Sequence, residues 1–198
     1  MMPQAFLFLL LSSVFPGRHQ TAPPTAVSFF DELADAALGL TAQQVQYDPA
    51  YFSIDYPMGD VPAHKGVCTD VVVRAYRKVG IDLQQLVHED MRRNFSQYPQ
   101  KWGLNRPDPN IDHRRVPNLM TYFKRQGASL STSQSAADYQ PGDVVCWQLS
   151  GGLTHIGIVG PNVSHAGRPL IIHNIGGGQN EDDVLFEFPI IGHYRFGG

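Results

Sequence analysis

The hydrophobic period of this chain changes once, near Asp143, and that change limits the fold more than any other feature. Before it, apolar residues recur at helical spacing. After it come short runs rich in β-branched and aromatic residues, "DVVCWQL", "LTHIGIV", "PLIIHNI", "VLFEF" and "IIGHYRF", punctuated by Gly, Pro and Asn. Helices first and neighbouring strands later predict an α+β domain with an antiparallel sheet. Ser28 with Asp31 predicts a capped first helix through Phe30, Leu33, Ala37 and Leu38. Cys68, Val72, Ala75, Tyr76 and Val79 form one stripe of a second helix, which Gly80 ends. Asp82 and Gln85 read as the capping box of a third helix, and Pro117 opens a fourth that stops at Gly127. Tyr47–Pro62 and "SQYPQKWGLNRPDPN" are turn-rich loops.

Residues 1–26 read as a signal peptide and linker, and 27–198 as a single domain. Ala5–Phe15 is nearly all apolar, the length of a secretory apolar core and too short for a bilayer, which takes about 20 residues. The expectation is an exported protein, periplasmic or secreted, with no integral membrane span in the mature chain. Hydrophobic residues at 42% and charged residues at 17% are a globular composition. A net charge of −3 without a long basic run excludes nucleic acid as a partner.

Cys68 and Cys146 are the two cysteines. At the first turn of a helix, the Cys68 sulfur meets unpaired N–H groups and the positive end of the dipole, which favour thiolate. Those N–H groups can also receive an oxyanion. Gly66 lets the incoming backbone turn sharply. The plain alternatives are a buried filler or a Cys68–Cys146 disulfide, which would remove the nucleophile. His155 stands in an apolar strand beside Gly157, whose missing side chain leaves room for a helix end or a substrate. His173, 18 residues on, falls in the next strand, so a hairpin can bring the two rings together. A lone strand histidine is otherwise a core residue. A third polar group beside a Cys–His pair fixes the imidazole tautomer. Asn174 is a second candidate for that role, although strand alternation turns it to the other face.

"GVCTDVVVRAYR", "PGDVVCWQL", "THIGIVG" and "IIHNIGGG", in that order, resemble the NlpC/p60 superfamily of papain-like cysteine peptidases. With "DYPMGDVP", "NIDHRRVPNL" and "GHYRF" they resemble most closely the bacterial YijF-like family of unknown function, over about Tyr47 to Phe196. The resemblance implies a papain-like fold, with the cysteine helix on an antiparallel sheet of five or six strands. It implies Cys68 as nucleophile, His155 as general base and acid, and His173 as the orienting third member. The superfamily's usual Asp-Cys-Ser is Val67-Cys68-Thr69-Asp70 here, so the acid lies on the other side. There it complements the dipole, and close to the sulfur it would oppose thiolate. Tyr56, Asp60, Asp70, His113, Arg114 and Asn174 are the candidate substrate-binding residues, either lining a groove for a peptide carboxylate or bracing loops. Asp112 and Arg115 share their motif, Trp102 is a wall or core residue, and Gly176–Gly178 is a loop that no helix follows, so it is not a phosphate cradle.

The function implied is an exported cysteine hydrolase that cleaves amide bonds of peptidoglycan peptides, with no cofactor and no metal. Three alternatives remain: a wall-binding module without catalysis, a thioester-forming acyltransferase, and a zinc site on Cys68, His155 and His173. The last lacks any HExxH or CxxC spacing.

Overall fold

Why the period changes at Asp143 is plain in the computed structural model, which describes residues 27–197: a helical layer ends there and a sheet begins. The helices are α1 (Phe29–Leu38), α2 (Cys68–Lys78), α3 (Leu83–Asn94) and α4 (Val116–Arg125). A two-residue parallel pair, β1 (Gln46–Tyr47) with β2 (Lys65–Gly66), precedes α2. The main sheet contains β3 (Val144–Gln148), β4 (Thr154–Val163), β5 (Pro169–His173), β6 (Asn180–Asp182) and β7 (Ile190–Tyr194). Its strand order is β6-β5-β4-β3-β7 and every pairing is antiparallel.

Both faces of the sheet are covered. Val144, Cys146, Ile156, Ile158 and Ile172 pack with α2 and its neighbours in the larger core. Val145, Trp147, Val159, Ile171 and Leu185 form a smaller cluster on the opposite face. Burial on both sides explains why the strands read as apolar runs rather than as a clean alternation.

Several local expectations hold for their stated reasons. Ser28 Oγ accepts from the Asp31 N–H, and Asp31 accepts from the Ser28 N–H, both at 3.2 Å. Pro117 sits in the first turn of α4, and Gly127 ends it with φ +73°. Others are corrected. "VLFEF" is not a strand: it turns back over the second face, where Leu185 O accepts from Trp147 Nε1 at 2.9 Å. The fifth strand is instead the polar Asn180–Asp182. An edge strand needs only backbone pairing, so its side chains carry no apolar signature. Asp82 does cap α3, through the Gln84 N–H at 3.1 Å, but Gln85 bonds Glu89 and closes no box. Helix α2 is buried along every residue from Cys68 to Tyr76, rather than along one stripe.

Among the described residues, no helix is long and apolar enough to cross a membrane. The signal-peptide and linker reading of residues 1–26 falls outside the described residues.

Candidate active site

Cys68 is the first residue of α2 and is buried. It is held there from behind. Asp70, in the first turn, accepts the Val67 N–H at 2.7 Å, which caps the helix start. The same carboxylate takes two bonds from Arg114, at 2.9 and 3.0 Å. Arg114 also donates to the carbonyls of Ala50 and Asp48, so one guanidinium ties the cysteine helix to the loop after β1. Gly66 permits this: a Cβ there would stand 3.3 Å from Asp70 Cβ and 3.2 Å from Arg74 Nη1. Its role is close approach to α2 rather than a sharp turn.

Both cysteines are free, so the disulfide alternative is corrected. Cys146 lies at 0% exposure in the core that also receives Cys68.

The backbone N–H groups of Ile156, Thr69 and Cys68 itself lie near the Cys68 sulfur and pull its thiol down. Strand β4 pairs with β5 only from Ile158 onward, which frees the Ile156 N–H from that ladder. The sulfur therefore lies by the edge of β4 at Ile156, while the neighbouring His155 side chain turns to the Trp147 face. These donors favour thiolate, as expected at a helix start, but burial outweighs them. Together with the nearby Asp70, it pushes the thiol up to about 12. Burial thus works against the thiolate that the helix start favours.

His155 and His173 come together across β4 and β5. His155 Nε2 and His173 Nδ1 are 2.7 Å apart, with ring centroids at 5.0 Å. Gly157 makes the approach possible, since a Cβ there would stand 2.7 Å from Ile171 Cγ2 and 3.2 Å from His173 Cβ. The space beside His155 is thus filled by β5, not by a helix end or a substrate. Trp147 covers the His155 ring, with centroids 5.7 Å apart.

The chain of contacts continues to a residue that sequence reasoning missed. His173 Nε2 donates to Asp182 Oδ2 at 3.1 Å. A carboxylate oxygen can only accept, so His173 carries its proton on Nε2 and offers a bare Nδ1. His155 must then donate from Nε2, and its own Nδ1 is left unprotonated. That nitrogen makes no hydrogen bond among the described residues. Burial, with His173 adding to it, pushes His155 down to about 3, so its ring is neutral at neutral pH. Burial lowers His173 as well, against the opposing pull of Asp182.

Tyr47, on β1, is the second missed residue. Burial raises its phenol, and Cys68 and Asp70 beside it raise it further. Asn174 is buried, accepts from the Gly176 N–H at 3.1 Å and points Nδ2 at Gly66 O at 3.5 Å. It thereby links the end of the His173 strand to the segment that delivers Cys68.

The other expected substrate-binding residues are engaged elsewhere. Asp70 and Arg114 are buried in their mutual pair. His113 is buried and pushed down to about 3 by burial. Asp60 pairs with Arg74 at 2.8 Å. Tyr56 stands edge-on to His88, with centroids 5.1 Å apart, and Asp112 bonds His88 Nδ1 at 3.0 Å. Arg115 stacks on Trp102 at 4.1 Å. The loop-bracing reading fits Asp60, Asp70 and Arg114, whose charged atoms are taken up by ion pairs, whereas His113 is buried with its Nδ1 unpartnered and Tyr56 makes a ring contact only. Among the described residues, no three His, Cys, Asp or Glu side chains are grouped so as to hold a metal ion.

Comparison with known proteins adds the following. The family described as "Domain of unknown function (DUF1287)" matches residues 34–196. The uncharacterized protein YijF of Escherichia coli (strain K12) is 53% identical over 178 residues, covering 88% of this chain and 87% of that protein. Among solved structures, an N-acetylmuramoyl-L-alanine amidase from Bacteroides uniformis is similar with a TM-score of 0.50 at 10% identity, over 84% of this chain and 98% of that one. NlpC1 from Trichomonas vaginalis is similar with a TM-score of 0.43 at 14% identity, and the chain spans 44% of its length. At these identities the likeness concerns the fold, which is α+β and papain-like, with helices on a five-stranded antiparallel sheet.

Proposed function

This chain belongs to the DUF1287 family, and we propose that it is an exported cysteine hydrolase acting on amide bonds of peptidoglycan through Cys68, His155 and His173. One observation carries the reading: the hydrogen-bond relay from Asp182 through His173 leaves an unprotonated, unbonded nitrogen on His155, the strand neighbour of Ile156, whose N–H lies near the Cys68 sulfur; no hydrogen bond joins Cys68 to His155 among the described residues. The likeness of the fold to an N-acetylmuramoyl-L-alanine amidase supports the choice of peptidoglycan as substrate.

The chemistry follows from the protonation states. Cys68 starts as a thiol and His155 as a neutral ring, so thiol deprotonation accompanies attack rather than preceding it. His155 Nδ1 takes the proton as sulfur bonds to the carbonyl carbon. The oxyanion falls to the N–H groups at the head of α2. When the tetrahedral intermediate collapses, His155 returns the proton to the leaving amine and a thioester remains. Water, deprotonated by the same nitrogen, then releases the acid. His173 holds the tautomer throughout, and Asp182 anchors His173. The mature domain begins near residue 27, and residues 1–26 direct export.

The test is amine release from purified sacculi, with Cys68→Ala as control. Release by the wild type alone supports the reading, and equal release by both proteins rejects it. The burial of Cys68 favours a second reading, a wall-binding module without catalysis. Sacculus binding together with a Cys68 that no thiol-directed electrophile labels would select that one.

A further inference from the structure

A cavity of about 600 Å³, within the range of small-ligand sites, is lined by segments that adjoin the cysteine cluster along the chain. Its walls are the chain from Thr41 to Gln46, His64, and the loop from Gly177 to Asn180. Each wall belongs to a segment that also builds the reacting cluster. Gln46 precedes Tyr47 on β1, and His64 precedes β2, which leads into Cys68. Asn180 is the register partner of His173.

The lining is chemically one-sided. It contains no Asp, Glu, Lys or Arg, and His64 is its one ionisable side chain. Gln43, Gln44, Gln46 and Asn180 all face it, and none of these four side chains makes a hydrogen bond among the described residues. The wall is nevertheless built: buried Gln179 donates from Nε2 to Leu40 O at 2.9 Å and pins the Thr41–Gln46 segment to the loop. A primary amide presents two donors and an acceptor. Several such groups, unpaired and without a charge among them, match a ligand whose own groups are acetamides and hydroxyls. A stem peptide, with its carboxylates, calls for Arg or Lys instead. Lys65, which follows His64 in the chain, is already paired with Asp48 at 2.8 Å.

We infer that this groove is a glycan subsite that holds N-acetylated amino sugars of the wall strand next to Cys68. The inference rests on the hydrolase reading for its purpose but not for its test. The wild-type full chain is titrated with three probes: an N-acetylglucosamine tetramer, the same tetramer without acetyl groups, and a free stem tripeptide. Saturable binding of the acetylated tetramer is expected, at least tenfold tighter than of the deacetylated one, with no displacement by the peptide. The double variant Gln46→Ala/Asn180→Ala is expected to weaken it at least tenfold. Both positions are exposed, so an unchanged melting temperature is expected to show an intact fold, and Gln44→Leu gives a second, independent lesion on the same wall. Absence of tetramer binding, binding indifferent to all these substitutions, or displacement by the peptide overturns the inference. Failure of the hydrolase reading shows separately, as equal amine release by wild type and Cys68→Ala with tetramer binding intact.

Discussion

His173 and His193 each face a carboxylate, Asp182 at 3.1 Å and Asp143 at 2.8 Å, yet the two pairs are built for different ends. At His193 the network is closed. Nε2 meets Asp143, Nδ1 meets Ser131 O at 3.0 Å, and no ring nitrogen remains. Asp143 has no exposed surface, and also accepts two bonds from Arg195 and the Gln140 N–H. This cluster joins the start of β3 to β7. At His173 the network is open at both ends. Asp182 is 46% exposed, and the second ring nitrogen is passed to another imidazole whose far nitrogen is unused. A histidine–carboxylate contact therefore identifies nothing by itself. The two clusters differ in whether the chain of donors and acceptors is closed, as at His193, or ends on an unused ring nitrogen, as the proposed chemistry at His155 requires.

The sharpest way to break this contrast is at that unused nitrogen. His155→Ala and Cys68→Ala are expected to lower amide hydrolysis by about 10³-fold or more, the scale of losing a general base or nucleophile. A folded His193→Gln is expected to stay within about threefold of wild type in turnover, since its ring has no free nitrogen to give. Comparable losses at His155 and His193 in single-turnover assays would erase the distinction.

Stability should sort the two carboxylates in the opposite order. Asp143→Asn leaves Arg195 without its counter-charge and His193 without a carboxylate partner, and is expected to destabilise by roughly 3 kcal/mol. Asp182→Asn, at an exposed pair, is expected to change stability by less than about 1 kcal/mol. Urea unfolding of both variants reads the difference directly.

Acid sharpens the comparison further. His155 and His113 are held at about 3 when folded, below the ordinary histidine value, so the folded state binds fewer protons than the unfolded one in between. Their neutral burial thus contributes stability that is fully present above about pH 6.5 and lost as pH falls toward 3, on the order of 1–3 kcal/mol for each ring. Urea titrations across that window are expected to show falling stability, with a shallower slope in His113→Asn.

The smallest effect tests the anchor. Asp182→Asn is expected to reduce kcat about tenfold with KM nearly unchanged, because an amide can present a donor to His173 and blur its tautomer. Asp182→Glu is expected to restore most of the rate. A brace would instead show equal losses in both variants, or a change in KM alone.

Much of this was legible in the residues. The helical and strand periods, the Ser28 cap, the stop at Gly127, the cysteine at a helix start and the pairing of His155 with His173 all depend on neighbours within about twenty positions, where local rules act. Asp182 was not legible, because it stands on a three-residue polar edge strand that shows no pattern. Tyr47 was missed for the same reason, on a two-residue strand. "VLFEF" misled because a buried turn and a strand can share one composition.

By itself, then, the chain's order of residues determined where helices give way to strands and which groups could react. Only the tertiary structure decided which charges meet. Asp70 and Arg114 are 44 positions apart, Asp143 and Arg195 are 52, and no local rule pairs them. It also decided that burial, not the helix dipole, governs Cys68, since the desolvation of a sulfur depends on everything packed around it.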